Sequence, residues 1–294
     1  MTNGRSPLLY AFLLLPLIFL LALIGFPIVY NLLMSVQEVN IGNLADLARP
    51  FVGLDNYAQV LADPAFRKVA LNSHVFVSAN MVGQIGLGLA AAMFFARRFP
   101  GAHFMRGVLL SPWILPALVV GALWKWIFAT EYGLANHVLI GLSLIARRVN
   151  WLSDPSVSLA SVTIANIWFG MPFSMILIAA GLSGIPQEHY EAASLDGAGA
   201  LARFRFITWP ALRPTLLAVA CLVVIYTMRA FDLIFTLTGG GPLDSSNVLP
   251  LLSYQFSFQQ FRFGMGAAIG TFAFAIVFVV ALLYVRTIGK EASL

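Results

Sequence analysis

Three groups of residues in this chain have types and spacings that could do chemistry. Arg229 and Asp232 stand in an apolar stretch, residues 214–238, that carries no other ionised side chain. Charges at membrane depth are costly and face a bundle interior or a watery cavity. Three residues apart on a helix, the two would share a face and could pair. Two roles stay open for them: lining a path, with both charges hydrogen-bonding to a polar solute, or a structural ion pair that locks the helix. The second group is Asn166, Phe169, Gly170 and Phe173, three or four residues apart in another apolar stretch and so on or near one helix face. An amide, a bare glycine backbone and two aromatic faces suit recognition of a polar ring; plain packing of the two phenylalanines is the alternative. The third group lies in residues 183–213, where Glu191, Asp196, Arg203 and Arg205 sit in a segment too long for a simple connector.

Other chemistries lack their residues. The sequence has no G-x-x-x-x-G-K-[ST] phosphate loop, and Gly239-Gly240-Gly241-Pro242, with no lysine after it, reads as a turn. His74, His103, His137 and His189 are scattered without metal-ligand spacing. No G-x-S-x-G nucleophile motif occurs, and one cysteine, Cys221, makes no intrachain disulfide. The chain is therefore expected to hold no cofactor, no metal and no catalytic residue of its own. The net charge of +5 comes from Lys and Arg placed between apolar blocks, which does not suit nucleic acid.

The elements that position these groups follow from composition. Of 294 residues, 60% are hydrophobic and 10% charged, against about half and a quarter in soluble proteins; lipid is the implied solvent. Six stretches are long enough to cross a bilayer as helices: residues 8–36, 69–96, 107–126, 157–182, 214–238 and 263–286. They are too long, and alternate too little, for barrel strands. The first, with Pro16 and Pro27, exceeds a signal-peptide core and is expected to be retained. The fold class expected is thus an all-α membrane protein, one transmembrane domain over residues 1–294 with its core in 69–286. Six spans put both termini on one side. That side carries nine Lys/Arg, including Arg97, Arg98 and Arg106 in a tight loop, against seven on the other. The positive-inside rule makes the terminal side cytoplasmic. Trp113, Trp124, Trp126, Tyr132 and Trp151 are expected at the membrane interface, and Gly266 with Gly270 has the spacing of close helix packing.

The segment 183–213 has an architecture of its own. Pro186 suits a first helical turn, Glu191, Ala192 and Ala193 are helix formers or neutral there, and Gly197 suits a left-handed C-terminal position. A second short helix is expected over residues 200–208, stopping at Pro210. The run Glu191-Ala192-Ala193, Asp196-Gly197-Ala198, then Phe204, Ile207, Pro210 and Pro214 resembles the "EAA loop" of permeases of binding-protein-dependent ABC importers. Trp209 departs from the leucine more usual there, apolar for apolar. Phe51-Val52-Gly53-Leu54-Asp55-Asn56-Tyr57, Asn166-Ile167-Trp168-Phe169-Gly170 and Phe231-Asp232-Leu233 through Gly241-Pro242 resemble the carbohydrate branch of that family, the maltose, trehalose and glycerol-phosphate type, in the right order along nearly the whole chain.

The resemblance implies a subunit of a larger machine in the bacterial cytoplasmic membrane. A second permease would complete the pathway, two ATPase subunits would hold the ATP and magnesium, and an external binding protein would deliver the solute. The EAA loop between the fourth and fifth spans would be the cytoplasmic coupling helix, with Glu191 its main ionic contact and Gly197 its bend; Ala192, Ala193, Asp196 and Arg203 belong to the same surface. Asn166, Phe169, Gly170, Phe173, Arg229 and Asp232 would line the substrate path. The rival readings are an ion-coupled secondary carrier, which calls for several intramembrane carboxylates where only Asp232 qualifies, and a membrane-embedded enzyme, for which no clustered catalytic residues are found.

Overall fold

The computed structural model describes residues 7–46, 48–97 and 99–291; Arg5 and Arg98, used in the charge comparison, lie outside the described residues. The described residues are helical, with isolated bridges at Gln37–Phe51 and Asn40–Arg262. Five helices are long and apolar enough to cross a membrane, and a strongly bent pair makes a sixth if counted as one span.

Contacts divide the chain into two compact units. The first comprises Met1–Phe66 and Leu252–Phe274. It begins with α1 (Pro7–Leu20) and α2 (Phe26–Ser35), joined by a π-turn over Leu21–Gly25. The Phe26 N–H reaches back to the Leu21 carbonyl just before Pro27. A widened turn there accommodates a residue that has no N–H to give and whose ring crowds the preceding turn. Helix α3 (Asp55–Ala62) follows an extramembrane segment clasped to the start of the last helix. Asn56 Nδ2 donates to the Ser35 and Gln37 carbonyls, at 3.0 and 2.9 Å, and the Gly264 N–H donates to the Val39 carbonyl at 3.1 Å. Gly266 abuts Ser257 so closely that a Cβ would lie 1.9 Å from its hydroxyl, which is close packing of the kind its spacing suggested.

The second unit, Arg67–Leu251 and Ala275–Leu294, holds the candidate residues. Helix α4 (Pro64–Phe95) begins five residues before the expected 69, because Pro64 supplies a first-turn φ and Asp63 Oδ1 accepts from the Ala65 N–H at 2.8 Å. The third expected span is not one straight helix. α5 (Ala102–Ile114) and α6 (Ala117–Ile127) meet at 103°. A proline disfavours the helical region for the residue before it, and here Leu115 (ψ 144°) and Pro116 (ψ 139°) are both extended. After α7 (Leu134–Gly141), the long α8 (Ser158–Ser183) matches its expected bounds within a residue.

Beyond it lie α9 (Gln187–Leu195) and α10 (Ala200–Arg203), then a π-turn over Phe204–Thr208 and α11 (Trp209–Met228). The expected stop at Pro210 does not occur: the helical stretch runs unbroken from Ala200 to Met228. The π-turn again precedes the proline, with the Trp209 N–H reaching the Phe204 carbonyl. The fifth span, expected to reach residue 238, ends instead at Met228; α12 (Asp232–Leu237) is a separate helix packed mainly on α6. Helices α13 (Leu249–Tyr254) and α14 (Phe263–Glu291) complete the chain. The core of this unit lies among α4, α8 and α11, where Ala92, Met175, Ile178, Leu212, Val219 and Val223 are buried together.

Candidate functional site

The six residues singled out as a path, Asn166, Phe169, Gly170, Phe173, Arg229 and Asp232, all line one cavity of about 270 Å³. Helix α8 supplies the first four. Arg229 and Asp232 come from the break between α11 and α12. Arg229 caps the end of α11 (φ −98°, ψ 3°), and the Phe231 N–H turns back to the Arg229 carbonyl at 2.8 Å. The two charged residues therefore do not share a helix face, as their spacing had suggested, and they form no ion pair. An ion pair is formed elsewhere, by Arg148 with Glu131. Both Arg229 and Asp232 are exposed and line the cavity.

Asn166 and Gly170 line the cavity and also make close contacts within the protein. Asn166 is buried, and its Nδ2 donates to Asn80 Oδ1 at 2.8 Å. Gln84 Nε2 donates to the same oxygen at 3.1 Å and to the Asn166 carbonyl at 3.2 Å, while Asn80 Nδ2 donates to the Phe76 carbonyl at 2.8 Å. The amide expected to face a solute is thus tied into a polar seam between α4 and α8. Gly170 is bare because Gln84 occupies its space: a Cβ there would lie 2.4 Å from Gln84 Oε1. The close approach at this glycine is made by the protein's own side chain, and Gln84 itself lines the cavity.

The aromatic wall is larger than Phe169 and Phe173. Trp113 stacks on Phe173 (centroids 4.6 Å apart, planes at 19°), tilts against Phe169 and meets Tyr226 edge-on. Trp113 was expected in an interfacial belt; the bend between α5 and α6 brings it to the cavity instead. Trp126 and Tyr132 are exposed, while Trp151 donates its Nε1–H to Asn136 Oδ1 at 3.0 Å and packs on Phe128. Thr227, also on the cavity wall, is buried with no hydrogen bond to its hydroxyl. Sequence reasoning missed Asn80, Gln84, Trp113, Tyr226 and Thr227. A usable signal existed for the first two: polar amides four residues apart within an apolar span.

The second candidate surface is the elbow formed by α9 and α10. Glu191 and Asp196 are exposed, and their carboxylates have no partner among the described residues. Gly197 holds the bend at φ 76°, a conformation that costs a residue with a Cβ about 1–2 kcal/mol. Its N–H bonds to the Ser194 carbonyl and that of Ala198 to the Ala193 carbonyl, at 3.1 and 2.8 Å, the double closure that ends a helix sharply. Arg203 Nη1 donates to Ser194 Oγ at 3.0 Å, and the Tyr190 and Thr208 hydroxyls lie 3.0 Å apart. The two arms are thereby braced on each other. Ala192, Ala193 and Asp196 line a groove of about 630 Å³ on this elbow, and Leu195, Leu201 and Phe206 are exposed.

Comparison with known proteins agrees with this architecture. A family described as "Binding-protein-dependent transport system inner membrane component" matches residues 84–290. A trehalose/maltose transport system permease protein of Thermococcus litoralis is 35% identical over 240 residues, covering 81% of this chain and 80% of that one. A diacetylchitobiose uptake system permease protein of Streptomyces coelicolor is 33% identical, covering 92% of this chain and 83% of its own length. In fold, the chain superposes with a TM-score of 0.81 on a chain of a bacterial ABC transporter involved in the import of the acidic polysaccharide alginate, at 20% identity and over 97% and 96% of the two chains.

Proposed function

The chain belongs to the family of binding-protein-dependent transport system inner membrane components, the permeases of ATP-driven importers, and on that premise we propose that it moves a carbohydrate or a related polar solute past the cavity at α8, α11 and α12. The observation that carries the proposal is the convergence on this cavity of five aromatic rings, those of Trp113, Phe169, Phe173, Tyr226 and Phe231, with the Gln84 amide, Arg229 and Asp232. Aromatic faces stack on the apolar side of a sugar ring, while amide, guanidinium and carboxylate groups bond its hydroxyls. Relatives whose names carry trehalose/maltose and diacetylchitobiose favour the same solute class.

The driving force comes from outside this chain. Two partner ATPase subunits bind and hydrolyse ATP with magnesium, a second permease of the same family completes the pathway, and an external binding protein presents the solute. Both termini and the elbow then face the cytoplasm, the side that the excess of Lys and Arg favours, and the elbow docks on the ATPases with Glu191 as the ionic contact. A braced elbow suits a lever, because a partner shifts a conformation only through contacts that differ between states. The helical stretch from Ala200 to Met228 runs without a break from the elbow to Tyr226 and Thr227 on the cavity wall, a length of roughly 40 Å at about 1.5 Å per residue. Displacement of the elbow therefore reaches the cavity through a stiff rod.

The test is uptake into liposomes holding the assembled transporter, its ATPases and its binding protein. ATP inside should drive accumulation, and Asp232→Ala should cut it several-fold while leaving assembly intact. Uptake that persists without ATPase subunits and follows an ion gradient would return the carrier reading.

A further inference from the structure

We propose that the groove walled by the end of α4, the first turns of α5 and the elbow helix α9 binds the phosphate headgroup of an acidic phospholipid, with an acyl chain along its floor. The groove, about 1160 Å³, is separate from the solute cavity. Its floor is apolar, with Ala92, Phe95, Phe99 and Leu182. Its rim carries Arg97, Arg106, Arg203 and His103, and no Asp or Glu lines it. None of the three guanidiniums is neutralised by a carboxylate among the described residues. Arg106 is fixed in place, donating to the Phe95 carbonyl at 2.9 Å with its guanidinium 5.7 Å from the centre of the Phe95 ring. Arg203 is held by Ser194. Each keeps further N–H donors for a ligand, and the N-terminal turns of α5 add the positive end of a helix dipole.

The pairing of an uncompensated cationic rim with an apolar floor selects the ligand. A free anion has no use for the floor, and a neutral lipid gives the rim nothing to bind. A basic pocket between helices at the membrane boundary matches an anionic headgroup with its chain. This rests on the proposed reading of that end of the bundle as the cytoplasmic boundary. Because α5 and α10 both contribute to the rim, a bound headgroup ties the elbow to a membrane helix, and ATP-driven transport should depend on acidic lipid.

The experiment is native mass spectrometry of the delipidated, assembled transporter, titrated with phosphatidylglycerol, phosphatidylcholine or inorganic phosphate. Phosphatidylglycerol should be retained over phosphatidylcholine. Arg97→Gln with Arg106→Gln should weaken its retention about fivefold for each charge removed, and Arg97→Lys with Arg106→Lys should preserve most of it. Equal retention of the two lipids, unchanged retention in the glutamine variant, or displacement of the lipid by millimolar phosphate would overturn the proposal. So would a glutamine variant that keeps its lipid but sheds the ATPase subunits, since the groove would then be a protein contact. Lipid retention is read without ATP, so it stands or falls independently of ATP-driven uptake.

Discussion

Between α4 and α8, Asn80, Gln84 and Asn166 are buried and bond to one another and to backbone carbonyls. In the elbow, Glu191 and Asp196 are exposed and their carboxylates bond to nothing described. Both regions are polar islands in an apolar chain, but the amides of the seam bond to one another, with Gln84 also on the cavity wall, and the elbow leaves its charges open. In a low-dielectric interior an unpaired amide is costly, so the seam must close on itself. At an aqueous face an unpaired carboxylate costs little and stays available to a partner.

Breaking the elbow should have the largest effect. Glu191→Lys reverses the proposed contact, and disrupting an interfacial charge pair costs about 2–5 kcal/mol, so ATP-driven uptake should fall more than about tenfold. Folding stability should shift by no more than about 0.5 kcal/mol, as for an exposed site. Uptake within twofold of the native protein would erase the distinction between the two regions.

In the seam, Gly170→Ala forces a methyl group against Gln84 and should cost about 1–3 kcal/mol of stability, read as a lower thermal midpoint in detergent. An altered KM with an unchanged midpoint would instead make Gly170 a solute contact. Asn166→Ala removes the donor to Asn80 and should cost about 1–2 kcal/mol, membrane hydrogen bonds being modest. A loss of transport without loss of stability would move Asn166 from the seam to the path.

The smallest effect belongs to Asp154, at the turn leading into α8. The Ser156 hydroxyl, and then its N–H, donate to this carboxylate and hold it below the usual carboxylate range. A depressed value stabilises the fold above the unfolded pKa, and that contribution is lost as pH falls through the folded one. Asp154→Asn should therefore lower the thermal midpoint slightly at neutral pH, and the gap from the native protein should close in acid. A gap that persists there would assign the effect to geometry rather than charge.

Much of the fold was legible because apolar run length reports a bilayer crossing without reference to neighbours. The bounds of α8 and the existence of α4, α11 and α14 followed from it, and the glycine at residue 197 announced the elbow's bend through its backbone freedom. The bend between α5 and α6 was readable in principle, since Pro116 disfavours a helical Leu115. The passage of a helix through Pro210 was harder, because the π-turn that permits it has no signature in residue type.

The residues by themselves determined the lipid solvent, the helical class, the elbow and six of the residues that meet at the cavity. Tertiary structure alone decided how those side chains are used. It ended α11 at Met228 with no glycine or proline there, separated Arg229 from Asp232, swung Trp113 inward and gave Gly170's space to Gln84. Hydropathy and spacing act along one chain segment, whereas hydrogen-bond satisfaction and steric exclusion are settled between segments that only the fold brings together.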